Sequence, residues 1–370
     1  MKVVITGGHH SSALPVIKQL KKVNPSIEFF WIGHKYSISG DTNTTLEYKD
    51  ITDLNIPFYA LKAGKVYKTY NPFKLLKVPF GFFQALFFLL KIKPNIILSF
   101  GGYLSVPVVL AGFLLNIPSV THEQTIVVGW ANKVVSKFAK KIMITWPNSA
   151  QYFPQNKTIF TGLPLRENVF KASTNNFDLN KKLPTVYLTA GKQGSHIINS
   201  VIGECLNEIL GMCNLIHQCG DSSLYNDYNN LTDIYSKLVD GVPGKYILKK
   251  FIRNGEIGEV FSKADLVLSR SGAHITYELI ALEKPCILIP IPWVSHNEQY
   301  ENASILYKSG LGVILSQKEL SKDTLLATLR FTLNNMHEFK IKNNSYKNIL
   351  VQDSAKKIAN VVLEEAKKNY

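Results

Sequence analysis

The sequence predicts an α/β chain of two domains, each a doubly wound parallel sheet, with the two sheets facing across a cleft. Three observations predict it. Short apolar runs alternate with amphipathic stretches, which is the order strand, helix, strand. Several of the runs end in a glycine turn, and the pattern that opens at Val3 starts anew at Thr185. The chain has 370 residues, enough for two cores of ordinary size, and its composition (46% hydrophobic, 19% charged) is that of a globular protein without repeats or low-complexity runs.

The first unit is a strand from Val3 to Thr6, a turn Gly7-Gly8-His9-His10-Ser11-Ser12, and a helix from Leu14 to Lys22. A glycine turn at the carboxyl end of a first strand lets backbone approach a ligand. Glu28 to Ile32 is the next strand, and His34 beyond it reads as a surface residue. Lys62 to Lys93 then packs aromatics and leucines between lysines, with Pro79, Gly81 and Gln84 among them. Its apolar part, Val78 to Leu90, is shorter than the roughly 18 to 20 residues needed to span a bilayer. Two readings stay open for it. Phe82, Leu86 and Leu89 make a core stripe of a buried helix, whereas Phe80, Phe83, Phe87 and Phe88, bracketed by Lys74, Lys77, Lys91 and Lys93, fit partial insertion into an anionic leaflet. Nucleic-acid binding would instead set Arg and Lys among polar groups and exposed aromatics, so the membrane is favoured.

Asn95 to Phe100 is a strand leading to Gly101-Gly102-Tyr103, with Ser105 and Pro107 opening an apolar helix. Pro118 to Gln124 is a strand that ends in His122-Glu123-Gln124. Two Gly-Gly turns and a polar triplet thus gather at strand carboxyl ends, the place for a ligand cleft. Trp130 to Ala139 is a helix and Ile142 to Thr145 a strand, and the stretch with Gly162, Pro164 and Arg166 leads out of the first domain.

In the second half, Thr185 to Thr189 runs into Gly191-Lys192-Gln193-Gly194-Ser195 and a helix from His196 to about Leu210. Strands follow at Leu215 to Gln218 and Tyr246 to Phe251. Leu266 to Leu268 enters the turn Ser271-Gly272, and a helix opens near Ala273. On it Ile275, Leu279 and Leu282 form the buried stripe, with Glu278 bordering it on the turn side. A carboxylate there calls for hydroxyl donors. After the strand Cys286 to Pro290 comes a polar run, His296 to Asn302, that includes Gln299. Ser354 to Lys368 is an amphipathic helix that should pack on a domain face. The expected division is 1–161, a linker 162–183, 184–349, and a packing tail 350–370.

Net charge is +15, and residues 1–160 carry +12 of it, with no acid between Asp53 and Glu123. Such a field draws an anionic surface. The four cysteines form no CxxC pair and read as packing residues of a reduced compartment. The N-terminus is a strand rather than a leader segment, so the expectation is a cytoplasmic chain.

Over nearly its full length the sequence resembles the MurG-type glycosyltransferases, whose fold is GT-B, a pair of Rossmann-like domains. Seven motifs occur in the family's order: Gly7-Gly8-His9, Gly101-Gly102-Tyr103, His122-Glu123-Gln124, Gly162 to Arg166, Gly191 to Gly194, Ser271-Gly272-Ala273 with Glu278, and Gln299 with Asn302. The first loop is shorter than the family's, Thr125 stands for an asparagine that contacts the donor sugar, Lys192 for a serine, Ile275 for a threonine and Glu298 for a glutamine.

The resemblance implies an inverting enzyme at the cytoplasmic face of the membrane. It would move N-acetylglucosamine from UDP-N-acetylglucosamine to the muramyl unit of an undecaprenyl diphosphate lipid, with neither cofactor nor metal. It implies His9 as base, and Arg166, Lys192, Gln193, Gly194, Ser271, Gly272, Ala273, Glu278, Gln299 and Thr125 around the donor. Gly7, Gly8, Gly101, Gly102, Tyr103, His122, Glu123 and Gln124 would line the acceptor. The partners implied are the UDP-sugar, the polyprenyl-diphosphate lipid and an anionic membrane surface, with no nucleic acid. A transferase for another lipid acceptor, or a non-catalytic nucleotide-sugar-binding module, are the alternatives.

Overall fold

The computed structural model describes residues 1–36, 44–64, 77–222, 224–238, 241–294, 297–342, 346 and 348–368. The chain forms two compact units, Met1–Arg166 with Val351–Tyr370, and Glu167–Leu350.

The strands of the first unit are β1 (Lys2–Thr6), β2 (Glu28–Gly33), β3 (Phe58–Ala60), β4 (Ile96–Ser99), β5 (Ser119–Glu123), β6 (Lys141–Ile144) and β7 (Thr158–Phe160). They pair in parallel in the order β3-β2-β1-β4-β5-β6-β7. The helices are α1 (His10–Val23), α2 (Leu46–Thr52), α3 (Lys77–Ile92), α4 (Ser105–Leu114) and α5 (Trp130–Phe138). Both sheet faces are covered, so the strands are continuous apolar runs whose alternate residues enter different cores. Val3 and Ile5 join one cluster with α1, while Val4 joins another with α3 and α4.

The second unit holds β8 (Thr185–Thr189), β9 (Asn214–Gln218), β10 (Tyr246–Lys249), β11 (Leu266–Ser269), β12 (Cys286–Leu288) and β13 (Gly312–Ile314), parallel in the order β10-β9-β8-β11-β12-β13. Its helices are α6 (His196–Glu204), α7 (Leu206–Leu210), α8 (Asp227–Ser236), α9 (Ile257–Lys263), α10 (Ala273–Ala281), α11 (Glu298–Ser309) and α12 (Lys322–Asn334). The last helix, α13 (Ser354–Lys367), returns to the first unit, where Ile358, Val361 and Val362 pack in the cluster of α1. In each sheet the strand order reverses beside the first strand, between β1 and β4 and between β8 and β11. These switch points open a crevice at the strand carboxyl ends, where ligands of doubly wound sheets bind.

Two expectations about helix faces need correction. On α10 the buried side runs through Ala273, Thr276, Tyr277, Leu279 and Ile280, and Ile275 and Leu282 are only partly buried. Tyr277 is drawn inward because its hydroxyl donates to the Ile349 carbonyl, which covers a second side of the helix. On α3 the buried stripe is Gly81, Ala85, Leu89 and Ile92, with Phe82 and Leu86 only partly buried. Gly81 is required there, since a Cβ would lie 2.9 Å from the Ala63 Cα. Gln84 binds the chain after β3 at both ends of its amide, accepting from Lys62 N and donating to Ala60 O.

Candidate functional site

In the first unit the two glycine turns leave adjacent strands and pack on each other. Gly8 N donates to Gly101 O at 3.2 Å. Gly7 has φ +130°, and a Cβ on it would stand 2.8 Å from that same carbonyl, so only glycine lets the loops after β1 and β4 meet. His9 follows, partly exposed; its carbonyl accepts from Ser12 N at 3.1 Å, and its ring has no hydrogen-bond partner among the described residues. The enclosure of its ring, and to a lesser degree His10, lower its pKa to about 4. It is therefore neutral at physiological pH and able to accept a proton. His10 points elsewhere: its Nε2 meets Asp50 Oδ2 of α2 at 2.9 Å.

His34 is not an isolated surface group. It bonds the Tyr103 hydroxyl, with ring centroids 5.4 Å apart. Because β2 and β4 flank β1, this pair spans the carboxyl end of β1. Burial raises the Tyr103 pKa, with Glu47 adding to it.

The triplet at the end of β5 is buried. His122 Nε2 lies 2.9 Å from Gly162 O, which requires that nitrogen to carry the proton, and leaves Nδ1 as a buried acceptor without a partner among the described residues. Burial lowers the His122 pKa to about 4, and His9 contributes in the same direction, which places the two imidazoles within each other's field. Gln124 accepts from Ser12 Oγ at 2.9 Å. Glu123 and Thr125 face inward. Glu123 Oε1 accepts from the amide and hydroxyl of Thr125 at 2.9 and 2.7 Å, and Oε2 accepts from Asn132 Nδ2 at 2.9 Å. Thr125 Oγ1 also lies 2.8 Å from Val127 O. These polar atoms hold the loop rather than present themselves to a ligand. Asn132 in turn lies against Gly101, where a Cβ would come within 2.7 Å of its amide.

At the second switch point the loop after β8 brings Gly191, Lys192 and Gln193 to the surface. The loop after β9 supports it from backbone to backbone: a Cβ on Gly194 would lie 1.8 Å from Cys219 O. Gln218 Nε2 donates to Gly191 O at 3.1 Å and its Oε1 accepts from Ile252 N. Across the switch point, Gly272 caps α10 with no side-chain bond to the first N–H groups, leaving the positive end of that helix for an anion. Ser271 Oγ donates to Gln299 O at 2.7 Å, Gln299 Oε1 accepts from Ile291 N at 3.0 Å, and Asn302 Nδ2 donates to Ser271 O at 3.0 Å. Three segments are thereby fixed together. Thr276 Oγ1 and Asn302 Oδ1 are buried with no partner among the described residues. Ala273 and Glu278 are buried on the same helix. Arg166, partly exposed, ends the first unit. His296 lies outside the described residues.

Sequence reasoning missed Asn132, Ser12 and Arg270. Arg270 follows β11 and is one of only four arginines in the chain, so a lone arginine closing an apolar strand was the available signal.

On α3, Phe80, Phe83 and Phe87 are exposed, the last two at 65% and 63%. Phe113 and Leu114 of α4 are exposed as well. Phe88 is the exception to the expected apolar face: its ring packs edge-on to Tyr59 at 5.1 Å, because one further residue turns it toward the sheet. Lys91 is exposed at the helix end, while Lys74 and the side chain of Lys77 fall outside the described residues. Among the described residues no helix is long and apolar enough to cross a membrane.

Two doubly wound parallel sheets, each with a glycine loop and polar side chains at its switch point, define a chain of two Rossmann-like units. The chain belongs to glycosyltransferase family 28: the family's N-terminal domain matches residues 3–144 and its C-terminal domain residues 185–362. It is 33% identical, over 99% of its length and 98% of the relative's, to the UDP-N-acetylglucosamine--N-acetylmuramyl-(pentapeptide) pyrophosphoryl-undecaprenol N-acetylglucosamine transferase of Clostridium perfringens. To the protein of the same name from Lachnospira eligens it is 32% identical over 99% of both. Among solved structures it is similar in fold to MurG of Acinetobacter baumannii (TM-score 0.70, 24% identity, 98% and 99% of the two chains). A UDP-GlcNAc 2-epimerase of Neisseria meningitidis is similar too (TM-score 0.66, 17% identity, 98% and 100%).

Proposed function

We propose that this chain is an inverting N-acetylglucosaminyltransferase that carries the sugar from UDP-N-acetylglucosamine to the muramyl unit of an undecaprenyl diphosphate lipid. The observation that carries the reading is the end-to-end similarity to relatives named for that reaction, with both family domains in place. In the reaction the acceptor hydroxyl oxygen bonds to the anomeric carbon, the bond from that carbon to the diphosphate oxygen breaks, and UDP leaves with the electron pair. The hydroxyl proton goes to a base.

His9 suits the base: it is neutral, partly exposed, and its ring has no hydrogen-bond partner among the described residues. Its low pKa makes it a weak base in the free protein, and a bound diphosphate would raise it by Coulomb attraction. The loops Gly7-Gly8 and Gly101-Gly102-Tyr103, with His122 and Gln124 behind them, receive the acceptor. Glu123 and Thr125 act by holding that loop. The second unit takes the donor. Gln193, Gly194 and the α10 end at Ser271-Gly272-Ala273 meet the diphosphate where charge develops, together with Lys192. Glu278 takes the ribose hydroxyls and Gln299 the sugar side.

The lipid acceptor places the enzyme on a membrane. Exposed Phe80, Phe83 and Phe87, beside Lys91 in a unit of strong positive charge, support peripheral binding to the anionic cytoplasmic leaflet. A panel of labelled UDP-sugars with a polyprenyl muramyl lipid tests the reading. N-acetylglucosamine should be transferred in preference to glucose, galactose and N-acetylgalactosamine, and preference for another sugar would refute the donor assignment.

A further inference from the structure

Arg270 is a buried cation. It is only 7% exposed, and among the described residues no carboxylate pairs with it. Nη1 donates to Ile289 O at 2.9 Å and Nη2 to Ser195 Oγ at 2.7 Å, while Nε is buried with no partner. Burial lowers its pKa to about 10, with no neighbouring charge acting against the shift, so it stays protonated at neutral pH. A charge removed from water and left unpaired is costly, and proteins retain one where a ligand supplies the opposite charge.

Its position says which ligand. Arg270 leaves β11, its first acceptor is the residue that follows β12, and its second is the residue that precedes α6 at the end of the glycine loop after β8. The guanidinium thus ties together three carboxyl-end segments around the switch point of β8 and β11. Ser195 makes no capping bond to α6, and Gly272, two residues after Arg270, makes none to α10. Two helix ends and a buried cation gather positive potential here; Asp227 lies beside the start of α6, where His196 Nδ1 and Asn199 Nδ2 occupy its two oxygens at 2.7 Å, and among the described residues no carboxylate pairs with Arg270 itself.

We infer that Arg270 is the resident countercharge for the diphosphate of the donor, a positioning residue that fixes Ser195 and the glycine loop while adding poorly screened positive charge. This rests on the donor-site reading above. Among the described residues the cation has no countercharge, and the donor diphosphate would supply it.

The test is calorimetry with UDP, uridine and inorganic diphosphate on the full chain, comparing wild type with Arg270→Gln, Arg270→Lys, Ser195→Ala and Glu278→Ala. Arg270→Gln should weaken UDP and diphosphate roughly tenfold or more, and uridine less than about threefold, since only the anion loses its partner. Arg270→Lys should lose less UDP affinity than Arg270→Gln, because the charge persists although one ammonium cannot reproduce both Nη hydrogen bonds. The thermal shift that UDP gives wild type should shrink in Arg270→Gln. Should that variant not fold, Ser195→Ala carries the test: it frees one anchor of the guanidinium and should weaken UDP several-fold without touching uridine. Unchanged UDP affinity in Arg270→Gln, or in Ser195→Ala where that variant stands in, overturns the inference. Equal losses for UDP and uridine, or a lysine variant as weak as glutamine, overturn it too. If wild type binds no UDP, the donor reading itself falls. If Glu278→Ala loses UDP while Arg270→Gln does not, only the role of Arg270 falls.

Discussion

Glu123 and Asn132 are joined by a 2.9 Å hydrogen bond from the amide of Asn132 to Oε2 of the buried carboxylate, and that bond ties the end of β5 to the glycine turn after β4. The other oxygen takes two donors from Thr125. Burial raises the pKa of Glu123, while the hydrogen bonds from Thr125 and Asn132 pull it back, so the carboxylate depends on its donors.

Glu123→Ala is expected to strand the Thr125 amide and the Asn132 side chain, at a cost of about 1–3 kcal/mol for each group left unsatisfied. Thermal unfolding should show a lower melting temperature alongside lost transfer. A stable variant with weakened acceptor binding alone would place the carboxylate in direct contact with the lipid.

The α3 aromatics separate into two kinds one residue apart. Phe83→Ser with Phe87→Ser should move protein from vesicles of anionic lipid to the soluble fraction, with melting unchanged, because both side chains are exposed. Phe88→Ser should instead cost stability, roughly 1–3 kcal/mol, through loss of its contact with Tyr59 and the core. Co-sedimentation and melting of the two variants decide it, and unchanged partition of the double variant would remove α3 from the membrane.

Three histidines make the fold sensitive to acid. Burial lowers the pKa of His122 to about 4 and of His217 to about 3, and His9 sits at about 4, against about 6.5 for an unperturbed imidazole. As pH falls below 6.5 the unfolded chain binds protons that the folded chain refuses, so stability declines from there until about pH 4 or 3 is reached. Each fully buried histidine contributes up to roughly 1.4 kcal/mol per pH unit in that window. Melting temperature should drop between pH 6.5 and 4.5, more shallowly in His217→Gln. Equal slopes in the variant and wild type would contradict the assignment.

Glu278 is buried on α10 close to Gly272, whose helix end is open to an anion. Glu278→Ala should weaken UDP by roughly 1–3 kcal/mol, the cost of unpaired ribose hydroxyls. Calorimetry on the folded variant at wild-type affinity would remove it from the site.

Much of this was legible in sequence because a parallel sheet covered on both faces leaves unbroken apolar runs. Thr185–Thr189 was bounded to the residue, and most other anticipated strands to within one or two. What stayed hidden depends on contacts between segments. The inward turn of Glu123 needs Asn132, nine residues away on α5, and the His34–Tyr103 pair needs β2 and β4 placed on either side of β1. β3 escaped notice because its three edge residues, two half-buried and one exposed, carry little alternation. Phe87 and Phe88 differ only by the roughly 100° that separates neighbours on a helix.

The chemistry itself is the most direct test. Single-turnover transfer of labelled N-acetylglucosamine from its UDP donor to a polyprenyl diphosphate muramyl lipid should yield the disaccharide lipid and free UDP with wild type. His9→Ala should slow it by about 100-fold or more while UDP affinity and melting stay near wild type. His10→Ala should lose transfer less, and chiefly through stability, since His10 is tied to Asp50. Binding of the donor with no disaccharide lipid formed by wild type would contradict the account outright, and full turnover in His9→Ala would move the base elsewhere.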